Sequence, residues 1–404
     1  MTDNHALQGV LDGMLVLDLT QVLAGPYCTM ILADHGADVI KIEPPGGDVA
    51  RGMGLFHEAD KDKRHAGYFH SVNRNKRSIV LDLKNAADVA TFRTMARSAD
   101  VVVENYRVGV MERLGLSYET LRADNPRLVY AAVRGFGDPR TGRSPYAEWP
   151  AFDIVAQAMG GFMSITGPGP DMPLKSGPGI GDIVPGIMCA FGIVAAVRLA
   201  ERRGLGQFLD VAMYDAILSI CERLVHQHSF AGVVPKAEGN EHPLVNPFSI
   251  FPVTDGWVAI GCPIEAQWRE LARLIEREDL LADPGLQSNA DRVRQRDRVR
   301  SAIEAWTSTR DKREVVAALG GRVPCGPVND VKDIFADPHI AAREMIAEVE
   351  IAEIGQRLQI AGIPVHFAAT PGKVRVAGPG LDAHRSEILR QFGIPYSAPA
   401  GALY

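Results

Sequence analysis

Asp182 is the side chain of this sequence whose setting is most distinctive for chemistry. It closes a stretch rich in glycine and proline (150–182) and precedes an apolar run that predicts a long helix over 184–202. A carboxylate at a helix N-terminus accepts hydrogen bonds from backbone N–H groups, and the helix dipole favours its ionised form. It can therefore be a nucleophile or an ordinary helix cap, and position alone leaves both open. Asp153, Asp171 and Asp210 have less distinctive settings.

Basic side chains gather in two regions of the first half of the chain. They are Lys41, Arg51, Arg74, Lys76 and Arg77, followed by Arg107 and Arg113. A ligand with several phosphate groups needs such a set of cations. Solvated surface charge explains the same pattern equally well, so the set alone does not identify a ligand.

Several common site motifs are missing from the sequence. The segment TQVLAGP (20–26) follows the first apolar run, where a dinucleotide-binding protein needs GxGxxG, and neither GxxxxGK[ST] nor GxSxG occurs. This argues against a dehydrogenase, a P-loop nucleotide hydrolase and a serine hydrolase. His226 and His228 form an isolated HxH and no CxxC pair occurs, so no metal site is expected.

The elements that would position these residues begin with five short apolar runs. The runs predict strands over 14–20, 38–43, 78–84, 99–105 and 128–135, with helices over 85–97 and 108–125. Such alternation is typical of βαβ units and a doubly wound parallel sheet, a Rossmann-like α/β fold. Ligands of these folds bind beyond the carboxyl ends of the strands. Loops 20–26, 43–54, 72–77 and 104–110 are therefore expected to form the site.

The second half of the chain changes character after another predicted helix, over 208–230. Residues 248–261 are typical of a hairpin around Thr254-Asp255-Gly256, and amphipathic helices are predicted over 266–277, 290–306 and 311–319. This block predicts a smaller α+β domain. Residues 330–404 mix helical and β-rich pieces and fit either domain. Two domains are the natural expectation for a chain of 404 residues.

The net charge and the hydropathy of the sequence limit the classes of partner that are expected. The net charge of −6 argues against a nucleic-acid surface. No run is expected to span a membrane, because the most apolar one, around 186–199, carries small residues and contains Arg198. The N-terminus lacks the pattern of a signal peptide, and the five cysteines are scattered, so a cytoplasmic protein is expected.

Eight collinear segments together resemble one family. They are DLTQVLAGP (18–26), GADVIKIEPPGGD (36–48), VNRNKRSIVLDLK (72–84), VVVENYRVGVMERLGL (101–116), FDIVAQAMGG (152–161), GIGD (179–182), VPCGPVNDVKDIFADPHI (323–340) and GPGLDAHRSEIL (378–389). They closely resemble the class III CoA-transferases, the CaiB/BaiF-like family of formyl-CoA transferase and carnitine CoA-transferase. The resemblance runs over nearly the whole chain.

The resemblance implies a fold and an assembly. A large Rossmann-like, CoA-binding domain over 1–225 is expected to be completed by a C-terminal return over 330–404, with a small α+β domain over 226–329 between them. Two subunits are expected to interlock as a ring-like homodimer. CoA and acyl-CoA enter as substrates with a small carboxylic acid as co-substrate, and no tightly bound cofactor, nucleic acid or membrane is expected.

The resemblance also assigns roles to residues. Asp182 becomes the nucleophile that carries CoA as an aspartyl thioester, and Gln21 belongs to the oxyanion and substrate loop. With the charge pattern, the expected CoA contacts are Val22, Lys41, Arg51, Asn75, Lys76, Asn105, Tyr106 and Arg113. Pro44 and Pro45 stand where formyl-CoA transferases have paired arginines, which implies either a weaker contact with the 3′-phosphate or a contact from Arg51, Arg74 or Arg77. The segment GNEHP (239–243) replaces their glycine-repeat loop and disfavours oxalate–formate specificity.

Two alternatives stay open beside CoA transfer. An α-methylacyl-CoA racemase of the same superfamily needs a second base, typically a histidine, where this chain has Phe152, which favours transfer. A non-catalytic CoA-binding protein would leave Asp182 as a helix cap. Residues that could recognise a second carboxylate are Arg51, Arg140, Arg143 and His242, in favour of succinyl-CoA as donor and a dicarboxylate as acceptor.

Overall fold

The computed structural model describes residues 9–395, which form two compact units. The larger unit takes residues 9–162, 176–226 and 339–395, and the smaller takes 163–175 and 227–338. Residues 1–8 and 396–404, which belong to the predicted ranges 1–225 and 330–404, lie outside the described residues. The chain thus enters the smaller unit twice and ends its described part in the larger one.

A parallel sheet of six strands forms the centre of the larger unit. Its strands are β1 (Leu15–Asp18), β2 (Asp38–Glu43), β3 (Arg77–Val80), β4 (Val101–Glu104), β5 (Val129–Arg134) and β6 (Phe208–Ala212). They lie in the order β3-β2-β1-β4-β5-β6, and every neighbouring pair is parallel. This is the Rossmann strand order, so the predicted parallel α/β fold of this unit is confirmed.

Helices cover both faces of this sheet. They are α1 (Ala24–Asp34), α2 (Gly67–Asn73), α3 (Ala86–Ala96), α4 (Val110–Arg113), α5 (Tyr118–Asp124), α6 (Asp153–Met159), α7 (Ile180–Arg203) and α8 (Met213–Ile220). Successive strand residues point to opposite faces, so Val16 of β1 enters the core under α1 and α7, whereas Leu17 enters the core that contains Phe92 of α3. Two buried faces explain why these strands are continuous apolar runs.

The strand β6 corrects the prediction of a helix over 208–230. Residues 208–212 pair with β5 from Tyr130 to Arg134, and only then does the chain become helical, at Met213. The preceding helix ends at Gly204, whose φ of 71° is left-handed. As an edge strand only partly buried on its faces, the segment FLDVA lacks the apolar run that marks the inner strands.

Helix α7 corrects a second prediction. It runs over 24 residues, and its most apolar window of 18 residues has a mean hydropathy of 2.1, so by length and composition it could cross a membrane, contrary to the expectation that no run is long and apolar enough. Arg198 does not end it, since it continues to Arg203. Of this window 44% is buried within the protein, and the core helix of a soluble protein passes the same test of length and composition.

The smaller unit contains an antiparallel sheet of β7 (Phe248–Val253), β8 (Gly256–Gly261) and β9 (Cys325–Pro327). Its helices are α10 (Glu265–Leu274), α11 (Asp279–Ala282), α12 (Asn289–Arg294), α13 (Arg296–Thr307), α14 (Lys312–Leu319) and α15 (Val331–Ala336), and α9 (Glu222–Ala231) leads into it. The predicted hairpin is confirmed, since Val253 pairs with Gly256 across the turn. After α16 (Pro338–Ala342) the chain is again part of the larger unit. It forms there the hairpin of β10 (Ile346–Ile351) and β11 (Gln356–Ala361), and then α17 (Arg385–Gln391).

Candidate active site

A cavity of about 240 Å³ lies at the carboxyl edge of the parallel sheet. The strand order reverses between β1 and β4, so the loops that follow them leave in opposite directions and open a crevice. The lining comes from the segments after β1, β4 and β5 and from residues 147–152, Asp182 and Met213. The predicted loops 20–26 and 104–110 therefore line the cavity, whereas no described residue of 43–54 or 72–77 does.

Asp182 is the third residue of α7, which begins at Ile180 with Gly179 as its N-cap. The predicted helix start at 184 was wrong, because the Gly-rich segment before it, which is typical of a loop, contains the N-cap and the first turn of the helix. Gly181 fits there because an added Cβ would lie 2.5 Å from the backbone oxygen of Asp153. Asp182 is thus inside the first turn, and its own N–H donates to the Gly179 carbonyl at 3.1 Å.

Burial raises the pKa of Asp182 to about 7, and the Asp153 carboxylate adds to the increase. Asp153, at the start of α6, accepts hydrogen bonds from the Gly181 N–H at 2.7 Å and from Gln157 at 2.8 Å. The expectation that the helix terminus favours the ionised form is therefore wrong in its net effect. Desolvation and a second carboxylate outweigh the helix dipole.

Tyr68 of α2 is a residue that the sequence analysis did not identify. Burial raises the pKa of its phenol to about 12, and the nearby charges of Asp182, Asp48 and Asp153 contribute. The hydroxyl is therefore protonated at neutral pH and can donate a hydrogen bond in the neighbourhood of Asp182. Tyr68 lies within a helix between two strands, and no motif in HAGYFHS (65–71) distinguishes it.

The segment Gln21–Ala24, called here the presenting loop, follows β1, ends at the first residue of α1 and lines the cavity with Asp182. Asn105, after β4, receives the Gln21 N–H at 2.9 Å and donates to the Gln21 carbonyl at 2.8 Å. Tyr106 lies beside Asn105 in the lining, where burial raises the pKa of its phenol to about 12. The structure therefore brings Gln21, Val22, Asn105 and Tyr106 together with Asp182.

Lys41 and Lys76 lie beneath the presenting loop rather than on the surface. The Lys41 ammonium donates to the Thr20 carbonyl at 2.8 Å and pairs with Asp48 at 2.8 Å. The Lys76 ammonium pairs with Asp18 at 3.0 Å. Both are fully buried and neutralised by carboxylates, which gives each a structural partner. Their expected contact with CoA stays a prediction.

Arg51 and Asn75 also have partners in the larger unit and do not line the cavity. Arg51 pairs with Glu43 at 2.7 Å, and Asn75 donates to Asp34 at 2.7 Å and to the Lys373 carbonyl at 2.9 Å. The other residues considered for the 3′-phosphate are likewise paired, Arg74 with Asp34 and Arg77 with Asp38.

Arg113, an expected CoA contact, and Arg107, another member of the basic set, are exposed. Arg113 lies on α4, Arg107 lies at the cavity, and neither takes part in an ion pair within residues 9–395. By contrast, Arg140, considered for a second carboxylate, already pairs with Glu119 at 2.7 Å and Glu112 at 2.8 Å.

A buried charge network closes the β5 side of the cavity. Arg134, which lines the cavity, bridges Glu104 at the end of β4 and Asp138. Burial raises the pKa of Glu104 to about 7 despite Arg134. Within residues 9–395, no three His, Cys, Asp or Glu side chains form a group that could hold a metal ion.

Comparison with known proteins gives a consistent result. Residues 11–385 match the model of CoA-transferase family III. The chain is 46% identical over 386 residues to the succinyl-CoA:mesaconate CoA-transferase of Haloarcula hispanica, covering 96% of this chain and 97% of that protein. It is 36% identical over 395 residues to the succinate–glutarate CoA-transferase of Agrobacterium fabrum, covering 97% and 98%. A solved CAIB/BAIF family protein from Brucella suis matches with a TM-score of 0.84 and 34% identity, over 95% of this chain and all of that one.

Proposed function

The chain belongs to the class III CoA-transferases, and we propose that it moves CoA from succinyl-CoA to a small dicarboxylic acid through a covalent thioester on Asp182. CoA transfer itself follows from the family. The choice of acids is supported by the names of two relatives, which pair succinyl-CoA with mesaconate and succinate with glutarate. All of these acids carry two carboxyl groups, so a shared specificity for dicarboxylates is the simplest interpretation.

The observation that carries the proposal is the setting of Asp182. Asp182 lines the cavity at the carboxyl edge of the sheet together with the presenting loop, and the pKa of its carboxyl group is raised to about 7. A carboxylate with a raised pKa is more basic and is a better nucleophile once it is ionised. Removal from bulk water contributes in the same direction, because fewer water molecules must leave before attack.

The proposed reaction has two halves that mirror each other. A carboxylate oxygen of Asp182 attacks the thioester carbon of the donor, the C–S bond breaks, and a mixed anhydride and CoA thiolate form. The thiolate attacks the Asp182 carbonyl carbon, the donor leaves as a carboxylate, and an aspartyl-CoA thioester remains. The acceptor carboxylate then repeats these steps in reverse order. No step changes the number of protons.

Each half passes through tetrahedral oxyanions, which need hydrogen-bond donors. In the presenting loop, the Gln21 N–H is engaged by Asn105 and the Val22 N–H by Asp48. The first N–H groups of α1, which begins at Ala24, have no acceptor within their own helix. Ala24 lines the cavity, so we assign this helix start, rather than Gln21 alone, to oxyanion stabilisation.

We also propose that the active protein is the interlocked homodimer that the resemblance implies. Ile187, Phe191 and Val194 follow one another on a single face of α7 and are 48%, 77% and 40% exposed. A stripe of this kind is expensive to leave in water, and a second copy of the chain would bury it.

Trapping the thioester tests the mechanism directly. With succinyl-CoA present, hydroxylamine should convert Asp182 to a hydroxamate, detected by peptide mass spectrometry, and Asp182→Asn should give no adduct and lose at least about 1,000-fold in kcat. Asp171→Asn, which changes an exposed aspartate, is the matched control and should behave as wild type. Mesaconate, glutarate and monocarboxylates are compared as acceptors.

The alternatives give different results in the same assay. A CoA-binding protein without catalysis would be indifferent to Asp182→Asn. A racemase would exchange the Cα hydrogen of its acyl-CoA in D₂O without an acceptor acid. Phe152, which is 64% exposed and lines the cavity, cannot accept that proton, so we expect no exchange. Exchange without acceptor-dependent transfer would overturn the proposal.

A further inference from the structure

We infer that Asp48 is a positioning residue that holds Val22 in a strained backbone conformation and so presents the loop Gln21–Ala24 to Asp182. The inference rests on the proposed function of Asp182. Asp48 does not line the cavity, and it follows β2 rather than β1 or β4. It acts through the loop and not on the substrate.

The strain is located at Val22, whose φ is 68°. A left-handed backbone brings the Cβ atom close to the following carbonyl oxygen, and a valine, branched at Cβ, is a rare occupant of that region. Such a conformation persists only where surrounding contacts hold it, and it is found preferentially at functional sites. The left-handed conformation of Val22 therefore depends on the contacts that its backbone makes.

Three buried or half-buried side chains hold three consecutive backbone units. Lys41 donates to the Thr20 carbonyl at 2.8 Å, Asn105 binds both the N–H and the carbonyl of Gln21, and the Asp48 Oδ1 accepts the Val22 N–H at 3.1 Å. Of these contacts, only the one from Asp48 reaches Val22 itself.

Asp48 is itself fixed in place. Its second oxygen pairs with the Lys41 ammonium at 2.8 Å, its Oδ1 also accepts the Ala50 N–H at 2.9 Å, and its own N–H donates to Glu43 at 3.0 Å. Its side chain is inaccessible to solvent, so bulk water does not compete with it for the Val22 N–H.

Close packing on either side of the presenting loop leaves little room for the start of α1 to move. An added Cβ on Gly25 would lie 2.3 Å from the Thr20 side chain, and one on Gly186 would lie 2.6 Å from the Ala24 carbonyl oxygen. The start of α1 is thus tightly packed on both sides. Without Asp48, Val22 would return to a negative φ, and the part of the cavity lining that Gln21, Val22 and Leu23 form would move relative to Asp182.

A double-mutant cycle tests the inference, because glycine adopts a positive φ without a steric penalty. Asp48→Ala should lower kcat by a factor on the order of 10–100, with a smaller change in KM, since the reacting groups lose alignment more than binding. In a Val22→Gly background the same substitution should lower kcat by less than about 3-fold, because a glycine at position 22 adopts the positive φ without a contact to hold it there. Asp48→Asn, which keeps one acceptor oxygen, should fall between.

Amide hydrogen exchange of the segment 19–25 gives a readout that does not depend on activity. Asp48→Ala should speed exchange at the Gln21 N–H, which Asn105 protects, and Val22→Gly should restore part of that protection. Asp60→Ala removes another buried aspartate, which accepts from the Arg64 and His65 N–H groups, and is the matched control. It should affect neither kcat nor exchange at Gln21.

Each other outcome counts against the inference. Equal loss of kcat in both backgrounds would mean that Asp48 matters only as the counter-ion of Lys41 or for global folding. No loss in either would mean that the loop is held without it. Failure of wild type to transfer CoA would count against the proposed function alone, since the exchange data decide the role of Asp48 independently.

Discussion

At the scale of single residues, two carboxylates share the start of α7, and their neighbours give them different roles. Asp153 accepts the Gly181 N–H and a Gln157 hydrogen bond, so its charge is compensated and its position is fixed. No hydrogen bond to the Asp182 carboxylate occurs within residues 9–395, and its pKa is raised by burial and by Asp153. The less compensated carboxylate is the more reactive one.

The raised pKa of Asp182 predicts how activity depends on pH. Attack requires the ionised carboxylate, so kcat/KM should rise with pH and reach half its maximum near pH 7, where the pKa lies. Asp153→Asn removes a negative charge while retaining an acceptor for the Gly181 N–H. It should lower the pKa of Asp182 and move the midpoint down, by no more than on the order of one pH unit because burial is the larger cause.

The measurement is a profile of kcat/KM for the CoA donor against pH, at constant ionic strength and with the donor well below its KM, so that it reports the free enzyme. Asp171→Asn, an exposed aspartate in the Gly- and Pro-rich stretch, serves as the control and should leave the midpoint unchanged. A wild-type midpoint below pH 5, or the same midpoint in Asp153→Asn, would contradict the assignment of Asp182 as the ionising nucleophile.

At the scale of elements, the contact of α1 with α7 sets the distance between the presenting loop and Asp182. Gly186 of α7 lies against the carbonyl oxygen of Ala24, the first residue of α1. The presenting loop ends at the start of α1, and Asp182 lies on α7. The spacing between these two helices therefore has to be short and reproducible. A glycine at this crossing allows the backbones to approach more closely than any side chain would.

We predict that Gly186→Ala loses both stability and activity. The new Cβ would lie 2.6 Å from a backbone oxygen, so the helices must separate, at a cost of roughly 1–3 kcal/mol in the free energy of unfolding. The separation should also lower kcat. Gly192→Ala on the same helix is the matched control, since its Cβ would meet Leu209 at an ordinary 3.5 Å. Urea unfolding and steady-state kinetics measure both effects, and equal results for the two variants would refute the argument.

The elements of the fold differ in how far the sequence could predict them. Strands β1 to β5 were found because burial on both faces makes them continuous apolar runs. The edge strand β6 was missed because it is only partly buried, and the start of α7 was placed late because Gly179 and Gly181 have loop composition. In both cases tertiary pairing, rather than local preference, decides the structure.

The candidate site shows the same division. Topology predicts the loops after β1 and β4, and Asp182 could be found from its position and from the resemblance. The contributions of Tyr68 and Asp48 depend on contacts between elements distant in sequence, so no local pattern contains them. Lys41 and Lys76 look like surface cations in the sequence, because the residue type does not show whether a lysine is solvated or buried. In the structure they are buried beside Asp48 and Asp18.

At the scale of the whole molecule, the exposed face of α7 is the feature that one copy of the chain leaves unexplained. The helix has the composition of a membrane span, yet it packs through its small residues into the core of the larger unit. Its stripe of Ile187, Phe191 and Val194 is then left facing water. A second copy of the chain and a lipid surface are the two environments that would bury it, and the proposed dimer requires the first.

We therefore predict that the protein sediments at twice the chain mass of 43.7 kDa and that its melting temperature rises with protein concentration, since dimerisation stabilises only the folded state. Phe191→Asp should produce monomer or lose soluble protein, because a carboxylate cannot be buried unpaired in an apolar interface. Val10→Asp, at an exposed position outside α7, should leave the dimer intact. Analytical ultracentrifugation distinguishes these results. A monomeric wild type that floats with phospholipid vesicles would assign the stripe to a membrane and remove the case for the dimer.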